Sequence, residues 1–353
     1  MNTELRVEKV DAGTYNQHLS DFQYSLFITP EWVESMSDET SEAAFFLITH
    51  HHEIVGVTAG LVFNGSGLKG KQFYFYAGPA MKKNDATLYC NLVKSVMEYA
   101  SHHRFTKINI KSYDQQHSFF CTEKRMRRTE RFEFIYRFDH TADQNEPVHK
   151  SFLKNVKKAE KVNAIIKEDN SEEALNQLVE LLKITHQLRN DKHEGTYEAF
   201  PYFKVNRNSL KRLLESGLGR QYVVLVDGVV HCVNFLLIKD GRIFGLIIGS
   251  DEFAYNHGFH QFVKHSLMQL FENGAQYYNL ASAEPGSGLG NFRVSMGFHE
   301  HRVFGSYSQF LVYPQKILNP LIHVSRNFNS NKYVKLLQVK SSLLFAHQEV
   351  FGA

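Results

Sequence analysis

The chain has 353 residues, more than the roughly 250–300 at which one hydrophobic core stops growing, so two domains are the starting expectation. Hydrophobic residues make up 43% and charged residues 22%, an ordinary balance for a globular protein, with enough apolar material for two cores. The net charge of +3 is too small to indicate a nucleic-acid or membrane partner by itself, and we expect no DNA partner.

The cysteine and histidine residues favour neither a disulfide framework nor a metal site. Cys90, Cys121 and Cys232 are odd in number and widely spaced, so we expect reduced, buried thiols in a cytoplasmic protein. The run at residues 50–52, three histidines between two strand-like runs, is interpreted as a polar turn, with a metal site as the alternative. We see no signal peptide, and no run reaches the roughly 18 apolar residues that a membrane-spanning helix needs.

The first half of the chain predicts a set of strands around one main amphipathic helix. Two strand-like runs around a polar turn within residues 45–63 favour a hairpin. Apolar residues at 3.6-residue spacing predict the helix over residues 88–100. The remaining predictions are a strand at 5–10, a helix at 14–22, strands at 73–76 and 107–110, a short closing helix and a strand at 132–136.

The second half repeats this order. Asp227-Gly228 is a strong signal for a hairpin within residues 222–238, and Asn273-Gly274 predicts the end of an amphipathic helix that begins near Phe259. The remaining predictions are a basic helix at 151–161, a strand at 163–167, a helix at 172–188, strands at 243–248 and 276–280, a short helix and a strand at 307–313.

A β-α-α-β-β-β-α-β-α-β order that occurs twice indicates a tandem repeat. The polar stretch at residues 140–150 is typical of a linker. We therefore predict an α/β fold with an α+β mixed sheet, built from lobes at residues 1–140 and 150–313 and followed by a basic, helical tail at 314–353. Antiparallel hairpins with a single helical crossover favour this fold over a doubly wound sheet.

Three segments resemble the Fem/GNAT superfamily, in particular the FemAB-like tandem GNAT acyltransferases. Residues 151–161 resemble the R-x-x-I-R-K-A-E-K helix that opens the second Fem lobe, and residues 250–260 resemble the strand-to-helix junction of that group. Residues 288–298 resemble its F-K-x-x-x-G segment. The resemblance covers most of the chain and implies two tandem GNAT-like acyl-CoA N-acyltransferase lobes. No Fem-type coiled-coil arm is present, and of the GNAT pyrophosphate loop only Gly258 remains.

The resemblance implies an N-acyltransferase that moves an acyl group from an acyl-CoA donor, such as acetyl-CoA, to a small-molecule or nucleotide-linked amine. The first alternative is a Fem-type transferase that uses aminoacyl-tRNA to modify a peptidoglycan precursor. A binding module that kept the fold without catalysis is the second alternative, because fold does not determine function. The donor is expected in the second lobe.

The basic helix and the junction after it are the candidate anion-binding elements. Lys154, Lys157 and Lys161 share one stripe and are predicted to bind substrate phosphates, with a merely solvated face as the alternative. Free N–H groups at a helix start bind phosphate, so the junction is predicted to bind the donor. Its candidate residues are Asn256, His257, Gly258 and Phe259. We also expect Gly258→Val to weaken donor binding while leaving the fold intact.

The candidate general bases lie on two loops. An amine must lose a proton before it attacks an acyl carbonyl, so His193, or Glu284 after a core strand, is the predicted base. The alternative for each is an exposed polar loop. Arg189, beside the first loop, and Arg293, in the segment that resembles F-K-x-x-x-G, are assigned to substrate binding.

The C-terminal tail is basic. It contains Lys316, Arg326 and Lys332 among its cations, but Glu349 is its one acidic residue. Apolar residues lie between the charges. We expect a helix that docks on the second lobe, with contact to an anionic membrane surface as the alternative.

Overall fold

The computed structural model describes residues 5–65, 69–123, 125–138, 146–192 and 200–319. These residues form one mixed α/β structure, as the sequence predicts. The strands are β1 (Arg6–Val10), β2 (Ser41–His50), β3 (Glu53–Gly65), β4 (Gly70–Phe75), β5 (Lys107–Ile110), β6 (Met126–Arg137), β7 (Ile165–Glu168), β8 (Gly219–Val226), β9 (Val229–Lys239), β10 (Arg242–Ser250), β11 (Tyr277–Ser282) and β12 (His299–Ser308).

Helices flank the strands. The helices are α1 (Ala12–Leu19), α2 (Pro30–Met36), α3 (Ala86–His102), α4 (Lys150–Lys161), α5 (Glu172–Lys192), α6 (Arg207–Glu215), α7 (Glu252–Asn256), α8 (Phe259–Phe271) and α9 (Gly288–Ser295). Among the described residues, no helix is both long enough and apolar enough to cross a membrane.

Within the described residues, all twelve strands belong to one sheet, in the order β1-β2-β3-β4-β5-β12-β6-β11-β10-β9-β8-β7. The two ends of the sheet mirror each other: β1 to β4 are antiparallel neighbours and β5 joins in parallel, while β7 to β10 are antiparallel neighbours and β11 joins in parallel. Both predicted hairpins are present, as β2–β3 and β8–β9. The predicted repetition is therefore visible in the strand order.

The two halves exchange their last strands. Strand β12, from the end of the second half, lies between β5 and β6, and pairs antiparallel with both. Strand β6, from the end of the first half, pairs antiparallel with β11. The polar stretch at 140–150 thus separates the repeats along the chain, whereas the sheet continues from one repeat into the other. The lobe boundaries themselves stay a prediction.

The hydrophobic core also joins the halves. Phe27, from the first half, packs edge-on against Phe244 of β10 with ring centroids 4.7 Å apart, and both rings are fully buried. This shared core lies on the face of the sheet that α1, α2, α5 and α6 cover. Each half has a separate core on the opposite face, under α3 in the first half and under α4 and α8 in the second.

Several predicted boundaries need correction. The basic helix matches its prediction, but the first helix is Ala12–Leu19 rather than 14–22, and α5 continues to Lys192. The short closing helix predicted for the first half is absent, since residues 111–123 are not helical. Asp114 adopts a left-handed φ of 52° there, and its backbone N–H donates to the buried carboxylate of Glu133, which holds this segment in an irregular path.

Two further predictions concern the histidine run and the C-terminal tail. His51 and His52 occupy the β2–β3 turn with φ values of 48° and 70°, which confirms the turn. Of the predicted tail, residues 315–318 form a 3₁₀ turn, and residues 320–353 lie outside the described residues.

Candidate active site

The parallel strands β10 and β11 separate partway along their length. Their register pairs only Arg242–Phe244 with Tyr277–Asn279, although β10 continues to Ser250. The equivalent strands of the first half, β4 and β5, stay together. Beyond the ends of both strands, the N–H of Tyr113 still donates a hydrogen bond to the carbonyl oxygen of Tyr76 at 3.0 Å. Only the second of these two strand pairs therefore opens a gap in the sheet.

Local structure on both strands maintains the gap. Ala281 of β11 has a left-handed φ of 65°, and its N–H donates to the side chain of Asn279, so β11 turns out of the ladder. At the end of β10, the backbone of Ser250 bonds through both its N–H and its carbonyl to Thr185 Oγ1, at 2.8 Å each. A side chain of α5 thus replaces a strand partner. Ile248 lies two residues earlier on β10, so its backbone N–H and carbonyl face the same side of the strand as those of Ser250.

A cavity of about 350 Å³ fills the space between the separated strands. Its polar lining includes Arg131, Arg189, Asn234, Lys264 and Arg293. The apolar lining comes from Leu246, Ile247, Ile248, Leu280, Leu289 and Phe292, with Tyr113 and Tyr202. No aspartate or glutamate is among the described residues that line it. A second cavity of about 550 Å³ adjoins it, shares Arg189 and His260, and extends between α5, α7 and α9.

Lys264 is the buried amine of this cavity. It lies on α8, one turn after His260, and is only 7% exposed. Its Nζ donates to Asn234 Oδ1 and to the hydroxyl of Tyr278, at 3.0 Å each. Burial lowers the pKa of Lys264 to about 7, because desolvation penalises the charged form. Lys264 can therefore exchange a proton near neutral pH.

His260 lies on α8 one turn before Lys264 and stays neutral. Its Nε2 lies 2.8 Å from Ser250 Oγ. Burial lowers the pKa of His260 to about 3, and the positive charge of Arg189 lowers it further. A neutral imidazole at this position orients Ser250 rather than adding charge.

Arg293 is a buried cation that also lines the cavity. It is 8% exposed, and its Nη1 donates to the carbonyl oxygen of Ala281 at 2.9 Å. Burial lowers its pKa to about 10, so it is charged at neutral pH. Among the described residues it has no carboxylate partner within salt-bridge distance.

Arg131, which lines the cavity, belongs to a buried polar cluster that joins the two halves. Arg131 of β6 pairs with the fully buried Glu133 at 3.1 Å. Asn279 donates both to Glu133 and to Asp114, and Asp114 also accepts from the hydroxyl of Tyr277. Burial raises the pKa of Asp114 to about 7, and the nearby charge of Glu133 raises it further. Residues of both halves thus hold the cavity in place.

The structure brings two of the candidate residues to the cavity. Arg189 and Arg293 line it. Glu284 is exposed, is absent from the lining of both cavities, and its carbonyl accepts the Ser287 bonds that start α9. His193 lies outside the described residues. The basic-stripe residues Lys154, Lys157 and Lys161 are exposed on α4.

The junction residues lie next to the cavities but do not line them. Asn256 is exposed, Phe259 is fully buried in the core, and His257 bonds through Nδ1 to the carbonyl of Phe253 at 2.9 Å. A Cβ on Gly258 would lie 2.5 Å from the carbonyl oxygen of Asn155, and its φ is 74°. The expectation that Gly258→Val leaves the fold intact is therefore wrong, because α4 occupies that space.

Sequence reasoning missed Lys264, Asn234 and Arg131. A usable signal exists for the first: Lys264 follows His260 by four residues, so the two share one side of a helix whose buried positions are otherwise apolar. Nothing local marks Asn234 or Arg131, because strands distant in sequence bring them to the cavity. No group of three or more His, Cys, Asp or Glu residues within the described ranges could hold a metal ion.

A twelve-stranded mixed sheet with one pair of separating parallel strands defines the fold class: a tandem GNAT fold of the Fem type. Residues 148–286 match the family model of the acetyltransferase (GNAT) domain, and the predicted Fem/GNAT relationship is confirmed. The match supports acyl transfer as the general chemistry. No curated protein sequence matches the chain.

Solved structures share the fold along nearly the whole chain. The crystal structure of FemX is 15% identical with a TM-score of 0.64, over 89% of this chain and 98% of that one. L-PGS from Bacillus licheniformis is 13% identical with a TM-score of 0.53, over 86% and 93%. A conserved protein of unknown function from Bacteroides thetaiotaomicron is 10% identical with a TM-score of 0.53, over 87% and 100%. At these identities the likeness shows the fold.

Proposed function

We propose that this chain is an N-acyltransferase whose donor carbonyl binds in the gap between β10 and β11. The observation that carries the proposal is the buried amine of Lys264 beside the unpaired edge of β10, in a cavity of about 350 Å³. An acyl group needs an enclosed apolar space, a donor for its carbonyl oxygen and a nearby proton acceptor. Leu246, Ile247 and Leu280 supply the apolar surface.

The reaction assigns one task to each group. The backbone N–H of Ile248 donates to the carbonyl oxygen, which becomes negative when the amine nitrogen attacks the carbonyl carbon. Neutral Lys264 accepts the proton that this nitrogen loses. The carbon–sulfur bond of a thioester donor then breaks, and Lys264 returns the proton to the departing thiolate. Asn234 and Tyr278 hold the Lys264 side chain in place.

The second cavity favours an acyl-CoA over a smaller acyl donor, because it has room for the rest of the donor molecule. This cavity continues from the gap toward Arg189, α7 and the first turn of α8, which gives a path for the arm of a coenzyme A thioester. Arg189 lies on that path and carries a charge that suits a phosphate. In the first half the equivalent strands are closed, and Asp85 already caps α3 through the N–H of Leu88. We therefore propose one donor site per chain, in the cytoplasm.

Calorimetric titration with acetyl-CoA tests the donor. We expect one site per chain, weakened at least tenfold by Arg189→Gln and unchanged by Arg6→Gln, an exposed arginine on β1. Release of free thiol in the presence of an amine panel tests transfer. Two equivalent sites, or binding that is indifferent to Arg189, would contradict the proposal.

The Fem-type reaction is the second candidate, and the similarity to FemX along nearly the whole chain favours it. In that reaction an aminoacyl-tRNA would supply the acyl group and a peptidoglycan precursor would supply the amine, with the exposed lysines of α4 binding phosphates. Titration with charged and uncharged tRNA separates the two candidates. Submicromolar binding of charged tRNA, without binding of acetyl-CoA, would favour the Fem-type reaction.

A further inference from the structure

Some buried hydrogen-bond donors in the walls of the cavity lack an acceptor among the described residues. Asn234 is 1% exposed, yet its Nδ2 has no partner among the described residues, and the buried Nε of Arg131 has none either. Arg293 uses Nη1 on a backbone carbonyl and has further N–H groups on the same guanidinium. Buried donors without acceptors are costly, so this cavity is suited to an acceptor-rich ligand.

The charges of the walls indicate a negatively charged ligand. Arg131 is already paired with Glu133 at 3.1 Å. Arg293 has no carboxylate partner among the described residues, and a buried cation without a partner destabilises the protein until an anion binds. A carboxylate has one charge and four lone-pair sites, and it matches the planar fork of a guanidinium.

We propose that the acceptor amine carries a carboxylate, so that the acceptor is an amino acid or a similar amino acid-like compound. This inference rests on the proposed acyl transfer. The carboxylate accepts from Arg293 and Asn234, which orients the amino group toward Lys264. Arg293 and Asn234 then act as binding residues that distinguish amino acids from simple amines.

Binding without any donor tests the inference. The probes are the proteinogenic L-amino acids, their amides and the corresponding decarboxylated amines, titrated calorimetrically at pH 7.5. We expect at least one amino acid to bind at least tenfold more tightly than its amide and its amine. Arg293→Gln should abolish that preference and Arg293→Lys should keep part of it, whereas Arg6→Gln should leave it intact. Equal binding of acid and amide, or no binding by any probe, would overturn the inference.

Two further measurements separate the possible sources of the anion. If succinyl-CoA is preferred tenfold over acetyl-CoA and the preference disappears in Arg293→Gln, the carboxylate belongs to the acyl group and the inference fails. Competition by millimolar inorganic phosphate at this site would also overturn it. Selective amino acid binding without transfer from acyl-CoA would leave the inference standing and reject the proposed donor. Transfer to amides as fast as to amino acids would overturn the inference and leave the proposed acyl-CoA donor standing.

Discussion

Gly258 and Asn155 are in direct backbone contact: a Cβ on Gly258 would lie 2.5 Å from the carbonyl oxygen of Asn155. This contact joins the start of α8 to the middle of α4. The first turn of α8 leads to His260 and Lys264, so the contact positions the buried amine of the cavity. The glycine serves helix packing as well as the left-handed turn at φ 74°.

Gly258→Ala should lower the free energy of unfolding more than a glycine substitution at a similar φ in open space. The matched control is Gly217→Ala, where φ is 78° and no atom lies within 4 Å of the added Cβ. Both variants carry the cost of left-handed backbone, and only the first carries a clash, worth about 1–3 kcal/mol. Urea unfolding measures the difference. Equal losses in the two variants would show that α4 moves away freely.

The rate of transfer should depend on the protonation of Lys264. Because burial lowers its pKa to about 7, the neutral form that accepts a proton predominates above that pH. We expect kcat/KM to rise as the pH increases through about 7. Lys264→Met should remove this limb and reduce the rate ~100-fold or more. The control Lys83→Met, at an exposed position, should retain the limb. An unchanged pH profile in Lys264→Met would exclude it as the base.

Asp114 should make the stability of the protein pH-dependent. Its folded pKa is raised from 3.8 to about 7, so the folded state binds the proton more tightly than the unfolded state does. The stability that this proton binding contributes is therefore lost as the pH rises through about 7. Glu133, Arg131 and Tyr277 surround this carboxyl. Asp114→Asn should reduce the loss of unfolding free energy between pH 5 and 8 by on the order of 2 kcal/mol. Urea unfolding at both pH values measures it, with the exposed Asp21→Asn as control. The same loss in Asp114→Asn as in wild type would contradict the assignment.

The basic stripe of α4 remains a predicted anion-binding face. Changing Lys154, Lys157 and Lys161 together to Gln should weaken binding of an anionic substrate and flatten its dependence on salt, because fewer counterions are released. The thermal stability should change little, since all three side chains are exposed. Titration at 50 and 200 mM salt provides the measurement. An unaltered salt slope would show that the stripe is only solvated.

Much of the architecture could be predicted from the sequence because its signals are local. The alternation of apolar residues and the Asp227-Gly228 turn predict β8 and β9, and helical spacing predicts α3, α4 and α8. The closing helix of the first half was predicted wrongly. Its segment is held by Asp114 and Glu133, a long-range contact that no local pattern reveals.

The candidate site was predicted only in part, for a related reason. Arg189 and Arg293 lie in segments with a recognisable pattern, and both reach the cavity. Arg131, Asn234 and Lys264 come from β6, β9 and α8, and only the folding of the sheet brings them together. Helix spacing can mark Lys264 as facing the core, but its lowered pKa has no local signal, because it depends on desolvation by residues distant along the chain.

The sequence by itself determined the repetition of the elements and the helix faces, since hydrophobic periodicity and turn residues act over a few positions. Only the tertiary structure decided that β6 and β12 change places, that β10 and β11 separate while β4 and β5 stay paired, and that α4 packs against Gly258. Those features depend on hydrogen bonds and packing between segments more than 20 residues apart. The site lies where those long-range contacts meet.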